Sequence, residues 1–125
     1  WDELMQYTTA EGAQGLCPPG WHIPTAAEWD QLLAVYNGPG QAAGPMKDTL
    51  LANGFDSYQT GFQYLNNLWA FTTGNFAGSM YWTSTLSGAD RAVARGLNEY
   101  NPSVSRYSAT RGNAFGVRCL KDNGY

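Results

Sequence analysis

Two cysteines, Cys17 and Cys119, lie 102 positions apart in a chain of 125 residues. If they are joined, one covalent loop encloses most of the chain. The loop-entropy model values such a closure at roughly 4–5 kcal/mol. A bridge of this kind also implies an oxidising compartment. The alternative is a pair of buried free thiols in a reducing cytosol. There is no CxxC motif, and His22 is the single histidine. Zinc ligation is therefore not expected, nor any other metal or cofactor.

A chain of this length is expected to form one domain, residues 1–125. Charged residues make up only 14%, against about 25% in an ordinary soluble domain. Aromatic residues also reach 14%, which argues against disorder. No apolar run approaches the roughly 18 residues of a membrane span, so this segment is not expected to insert into a bilayer. The net charge of −3 is unevenly distributed. Residues 1–85 sum to −6 and residues 86–125 to +3. One reading is two complementary halves that balance each other; the other is a mildly basic patch built by the last 40 residues. Either is too weakly basic for a nucleic-acid footprint.

Asp2 is placed to cap a short helix running to about Tyr7. Thr25-Ala26-Ala27-Glu28 spells a capping box, with Pro24 and Trp29 as a hydrophobic staple. Trp29, Leu32, Leu33 and Tyr36 continue it at helical spacing, and Asn37-Gly38-Pro39-Gly40 ends it. A second helix is expected from Pro45 to Asn53. Beyond Phe55 the helical period disappears. Short strands are expected at Tyr81–Thr85, Ala89–Leu97, Val104–Ala109 and Phe115–Cys119. Helices first and antiparallel strands after give an α+β architecture.

Four stretches, in this order, carry a family resemblance. They are Trp1-Asp2-Glu3-Leu4-Met5, Cys17-Pro18-Pro19-Gly20-Trp21-His22-Ile23-Pro24-Thr25-Ala26-Ala27-Glu28-Trp29, Tyr81-Trp82-Thr83-Ser84-Thr85 and Phe115-Gly116-Val117-Arg118-Cys119. Together they resemble the Fibrobacter succinogenes major paralogous domain family. That family is similar in turn to the C-type-lectin-like fold of the formylglycine-generating enzyme group. The resemblance implies two helices flanking a small twisted antiparallel sheet. It also implies chain ends held together by Cys17–Cys119, and a secreted or cell-surface bacterial protein, often a lipoprotein.

An enzymatic role is not expected. The formylglycine-generating relatives use two neighbouring late cysteines to bind copper, whereas here Cys119 is the only late one. His22 sits in the GWHIPT turn, where the resemblance offers Arg or His as a structural choice. Glu28 is accounted for by the capping box, and no acid/base pair remains to fill a catalytic checklist. A lectin-type calcium site is not expected either. Glu99-Tyr100-Asn101-Pro102 has the letters of such a loop in the wrong order, and Ca²⁺ needs six to eight oxygens.

Ligand recognition is the expected function. Residues 98–113 are rich in Tyr, Ser, Asn and Arg, the composition of paratopes and interface hot spots. Tyr100 and Tyr107 would anchor a protein or glycan ligand. Arg95, Arg106 and Arg111 would supply charge, and Asn98, Asn101, Ser105, Ser108, Thr110 and Asn113 adaptable hydrogen bonds. Some relatives of this group are targets of diversity-generating retroelements, which rewrite adenine-rich codons upstream of a fixed C-terminal motif. The polar run before Phe115-Gly116-Val117-Arg118 has that form. A competing reading is self-assembly as a filament or adhesin subunit, with Trp1, Tyr7, Tyr58 and Tyr125 as exposed interface aromatics.

Overall fold

A computed structural model of the chain describes residues 1–42, 46, 62–63, 69–70, 78–98 and 103–122. In order, the elements are β1 (Trp21–His22), α1 (Ala26–Val35), β2 (Phe62–Gln63), β3 (Trp69–Ala70), β4 (Gly78–Leu86), β5 (Arg91–Asn98), β6 (Ser105–Thr110) and β7 (Leu120–Lys121). The architecture is α+β and mostly sheet, with one helix among the described residues.

Helix α1 starts where its capping box requires. Thr25 is extended and accepts a hydrogen bond from the Glu28 amide, while the Glu28 carboxylate accepts one from the Thr25 amide, each 3.1 Å. Ala26, Trp29 and Leu33 form its buried stripe. The helix ends as Asn37 and Gly38 turn into the left-handed region, φ 68° and 93°. The Gly38 amide then closes on the Leu33 carbonyl at 2.8 Å. Glycine adopts that conformation without the Cβ clash that opposes it elsewhere.

The expected helix over residues 2–7 does not form. The segment is a run of turns, closed by bonds from Met5 to the Trp1 carbonyl and from Tyr7 to the Asp2 carbonyl. One turn of helix is costly to nucleate and yields few bonds in return. The inward face read from the sequence survives nonetheless, because Trp1 and Met5 are both buried. The helix expected at 45–53 lies outside the described residues except for Met46, which is helical and buried.

The main sheet has the order β4-β5-β6, all antiparallel. Its centre, Ala92 to Leu97, is buried at every position. Covered on both faces, β5 therefore does not show the simple inside–outside alternation expected of it. On one face Met80, Trp82, Ala92 and Ala94 pack with Trp1, Met5, Cys17 and Ile23. On the other, Tyr81, Leu97 and Val104 pack with Trp29, Leu33 and Met46. The sheet is thus sandwiched between the N-terminal turns and α1, at about 1.5–3 kcal/mol for each large side chain removed from water.

The expected final strand over 115–119 is not part of a ladder. Gly116 instead makes a parallel bridge to Tyr81, with its amide on the Met80 carbonyl and its carbonyl accepting from Trp82, both 2.9 Å. Phe115, Val117 and Cys119 still turn toward the core from that irregular segment. The last strand is β7, which pairs with β1 through Trp21–Lys121 and His22–Leu120. A Cys17–Cys119 disulfide lies beside this pairing, with a Cα–Cα distance of 5.9 Å.

Candidate functional site

Among the described residues strand β6 pairs only with β5 and so forms an edge of the main sheet. Arg106, Tyr107 and Ser108 along it are exposed, and Ser105 and Thr110 are half-buried. Register places Ser105, Tyr107 and Ala109 opposite Gly96, Ala94 and Ala92. Arg106, Ser108 and Thr110 point to the other face, by the two-residue period of a strand. The Tyr107 ring stays 45% exposed although it rests on the sheet. Gly96 makes room for it: a Cβ there would sit 2.7 Å from Met80 Sδ and 2.9 Å from Tyr107 Cε2. Ser108 is held by a hydroxyl contact to Ser87 at 2.7 Å, and its carbonyl accepts from Arg91 Nη1 at 3.0 Å. The edge strand therefore presents an aromatic, Tyr107, on one face and a cation and hydroxyls, Arg106, Ser108 and Thr110, on the other.

The other expected contact residues divide into three groups. Arg95 is not on this surface. It is only 4% exposed and pairs across the layers with Asp30 of α1. Burial pulls the pKa of its guanidinium down, Asp30 pulls it up and neighbouring Arg106 pushes it down again. Its position on the inner face of a doubly covered strand explains why a residue expected outside lies inside.

Arg111 and Asn113 turn toward the N-terminus. Arg111 Nε donates to Asp2 Oδ1 at 2.8 Å, Nη2 pairs with the same oxygen, and Nη1 donates to the Ala89 carbonyl at 3.1 Å. The guanidinium lies 4.8 Å above the Trp1 ring, within cation–π range. Asn113 Nδ2 donates to the Thr110 carbonyl at 3.0 Å. Arg111 thus ties the β5–β6 hairpin to the first residues of the chain. Asn98 closes β5 opposite Gly78. Tyr100 and Asn101 lie outside the described residues, as do Tyr58 and Tyr125.

The pairs Asp2–Arg111 and Asp30–Arg95 each join the acidic first part of the chain to the basic last part. Two of the six basic residues after position 85 are thus matched internally, and the basic-patch reading does not hold for Arg95 and Arg111.

His22 is held between two carboxylates. Nδ1 is 2.6 Å from Asp122 Oδ1, and Nε2 is 2.8 Å from Glu28 Oε2. Burial opposes its charge, but the hydrogen bonds and charges of Glu28 and Asp122 prevail and raise its pKa above the usual 6.5. For Glu28, burial acts upward, and bonds from Thr25 and His22 prevail and lower it. Both imidazole nitrogens are engaged, so this cluster clasps β1, α1 and the chain after β7. Among the described residues no group of three or more His, Cys, Asp or Glu side chains is arranged to hold a metal ion.

Two concave regions among the described residues bear on the surface. One, of about 200 Å³, lies between α1 and the 118–120 segment, walled by Trp29, Leu32 and Leu120 with Glu28 and Arg118 at its lining. The other, of about 560 Å³, lies between the N-terminal turns and the 111–115 segment. Sequence reasoning did not mark this second cleft as a site. The one hint was Tyr7, read as a possible interface aromatic and 76% exposed, whereas Trp1, read the same way, is buried.

A family model for the Fibrobacter succinogenes major domain matches residues 2–121. The chain belongs to that family. The match to the Fibrobacter succinogenes major domain runs from the Asp2 that meets Arg111 to the Lys121 that closes β1–β7, so it includes the contacts described above except those made by Trp1 and Asp122. No curated protein and no solved structure matches the chain. The disulfide of this family member fits a non-cytoplasmic location. No helix among the described residues is long and apolar enough to cross a membrane.

Proposed function

We propose that this Fibrobacter succinogenes major domain is a non-enzymatic recognition module of an exported, surface-attached bacterial protein, binding a protein or glycan through β6 and the connection before it. The observation that carries this reading is the exposed Arg106-Tyr107-Ser108 strip, with Tyr107 laid over Gly96 on a sheet packed on both faces. Tyrosine and arginine supply large contact area at low conformational cost, and serine adapts its hydrogen bonds to the partner. The proposal extends to Asn98 at the end of β5 and to Tyr100 and Asn101 just after it in sequence. It excludes Arg95 and Arg111, whose guanidinium groups are committed to Asp30 and Asp2.

The proposal also takes the fold to be C-type-lectin-like and the recognition segment to be a retroelement-diversified one. Rigid layers beneath a variable strip would let side chains change without unfolding the sheet. Sequencing this locus in sibling strains tests it. The expected result is substitution concentrated at Ser105, Arg106, Tyr107 and Ser108, with Arg95, Gly96 and Arg111 unchanged. A nearby reverse transcriptase and near-identical template repeat would accompany it. An invariant strip would overturn diversification. Binding itself is tested by screening glycan and surface-protein arrays with the wild type and with Arg106→Ala plus Tyr107→Ala. Loss of the captured ligand is expected in the double variant at nearly unchanged melting temperature; retention would overturn the assignment of the strip.

A further inference from the structure

The cleft between the N-terminal turns and the 111–115 segment has the makings of a second site. At about 560 Å³ it falls within the roughly 300–1,000 Å³ of small-molecule clefts. Its floor is Trp82, against which Phe115 packs with ring centroids 4.5 Å apart. At its rim stand Tyr7 and Leu16, 76% and 64% exposed. Both are large side chains left in water at the mouth of the cleft.

The backbone beneath Tyr7 is itself unusual. Gln6 and Tyr7 are consecutive non-glycine residues in the left-handed region, at φ 55° and 62°. Side chains of this kind rarely adopt it. The fold holds them there through bonds from the Gln6 amide and side chain to the Glu3 carbonyl, and from the Tyr7 amide to the Asp2 carbonyl. A strained turn that displays an aromatic at a cleft is an observation that points to function.

The polar lining defines the ligand. Asp2 gives one carboxylate oxygen, Oδ1, to Arg111; its other oxygen and the Glu3 carboxylate have no hydrogen-bond partner among the described residues. These acceptors suit ligand hydroxyls. An anion would meet Glu3 and, beside the same Arg111, Asp90. A cation would find the face of Trp1 already covered by the Arg111 guanidinium. A neutral ring with an apolar C–H face and several hydroxyls satisfies both the tyrosine and the carboxylates.

We infer that this cleft is a saccharide subsite that takes one neutral pyranose ring, its apolar face on Tyr7 and its hydroxyls on Asp2 and Glu3. It does not depend on the β6 strip, since Tyr107 is not part of its lining.

The test is a titration of the isotopically labelled full chain, followed by amide and indole resonances. The probes are methyl glucoside, methyl mannoside, methyl galactoside, N-acetylglucosamine, cellobiose and xylobiose, taken to tens of millimolar. At least one is expected to shift Tyr7, the Trp1 indole and Asn113 together. Tyr7→Ala and Tyr7→Gly should abolish those shifts, Glu3→Gln should weaken them, and Tyr107→Ala should leave them intact. Tyr7→Gly also relaxes the left-handed backbone, so its melting temperature should equal or exceed that of the wild type while binding is lost. A purely structural tyrosine would not separate the two readouts in that direction. Silence of these resonances toward every sugar would overturn the inference. So would shifts that persist in Tyr7→Ala, or a response to N-acetyl-lysine amide, run in parallel, in place of the saccharides.

Discussion

Individual side chains decide the pH dependence of this fold. The folded chain favours protonated His22, because Glu28 and Asp122 outweigh burial. Its contribution is therefore complete below pH 6.5, its ordinary value, and is lost as pH rises through the raised folded value. Glu28 runs the opposite way, complete above its ordinary 4.5 and lost as pH falls through its lowered value. The clasp is strongest between about pH 4.5 and 6.5. Thermal melts of wild type and His22→Gln across an acid-to-alkaline series should converge as pH rises above that window. Equal spacing at every pH would contradict it. Gly96→Ala is a second residue-scale case. The new methyl group must displace Met80 or the Tyr107 ring, at about 1–3 kcal/mol of overpacking. Altered Tyr107 ring resonances and a lower denaturation midpoint are the expected readouts. The importance of His22 was not legible in the sequence, because its partners lie six and 100 positions away.

At the scale of elements, α1 is the part the sequence spelled out most fully. Its N-cap, buried stripe and glycine stop are local, so spacing alone identifies them. Thr25→Ala should cost about 1 kcal/mol, within the usual 0.5–2 for an N-cap, and should also loosen the Glu28 contact to the Thr25 amide. Denaturant titration measures the first effect. Between elements, Arg95–Asp30 joins β5 to α1. Asp30→Asn leaves a buried guanidinium without its counter-charge. Because Asp30 is 57% exposed, the expected loss is smaller than the roughly 3–5 kcal/mol of a fully buried pair. Changing Arg95 to Met together with Asp30→Asn should recover stability, and failure to recover it would mean the pair is more than a balanced charge. That β5 is buried on both faces was not visible in its sequence, since alternate small and large residues read as a one-sided strand.

Across the whole molecule, the closure of the chain is shared by Cys17–Cys119, the β1–β7 pairing and the His22 clasp. Reduction, or Cys17→Ala with Cys119→Ala, should lower stability by about 4–5 kcal/mol on the loop-entropy model. It should first release the Asp122 amide, which donates to the Gly20 carbonyl at 2.8 Å. Hydrogen exchange at that amide, with and without reductant, checks the order of opening. Unchanged protection after reduction would assign the closure to the strands and His22 instead. Of the segment proposed for recognition, the sequence located strand β6 within a residue but sorted the neighbouring arginines wrongly, since Arg95 and Arg111 pair with Asp30 and Asp2. Composition records that Arg and Tyr are present, and only packing separates the arginine of a surface from the arginine of a layer contact.

By itself the sequence determined what short-range chemistry can dictate. The capping box sets the start of α1, left-handed residues at Asn37 and Gly38 end it, and strand-forming runs set β4 to β6 within a few residues. The two cysteines made their own bridge the simplest pairing. The tertiary structure decided which faces meet. It placed Arg95 between layers, turned Arg111 back onto Trp1 and Asp2, replaced a short N-terminal helix with strained turns, and opened a cleft beside Tyr7. The physical reason is the range of the interactions. Caps and turns involve residues a few positions apart, whereas burial and ion pairing join residues up to 109 positions apart, whose meeting no local pattern encodes.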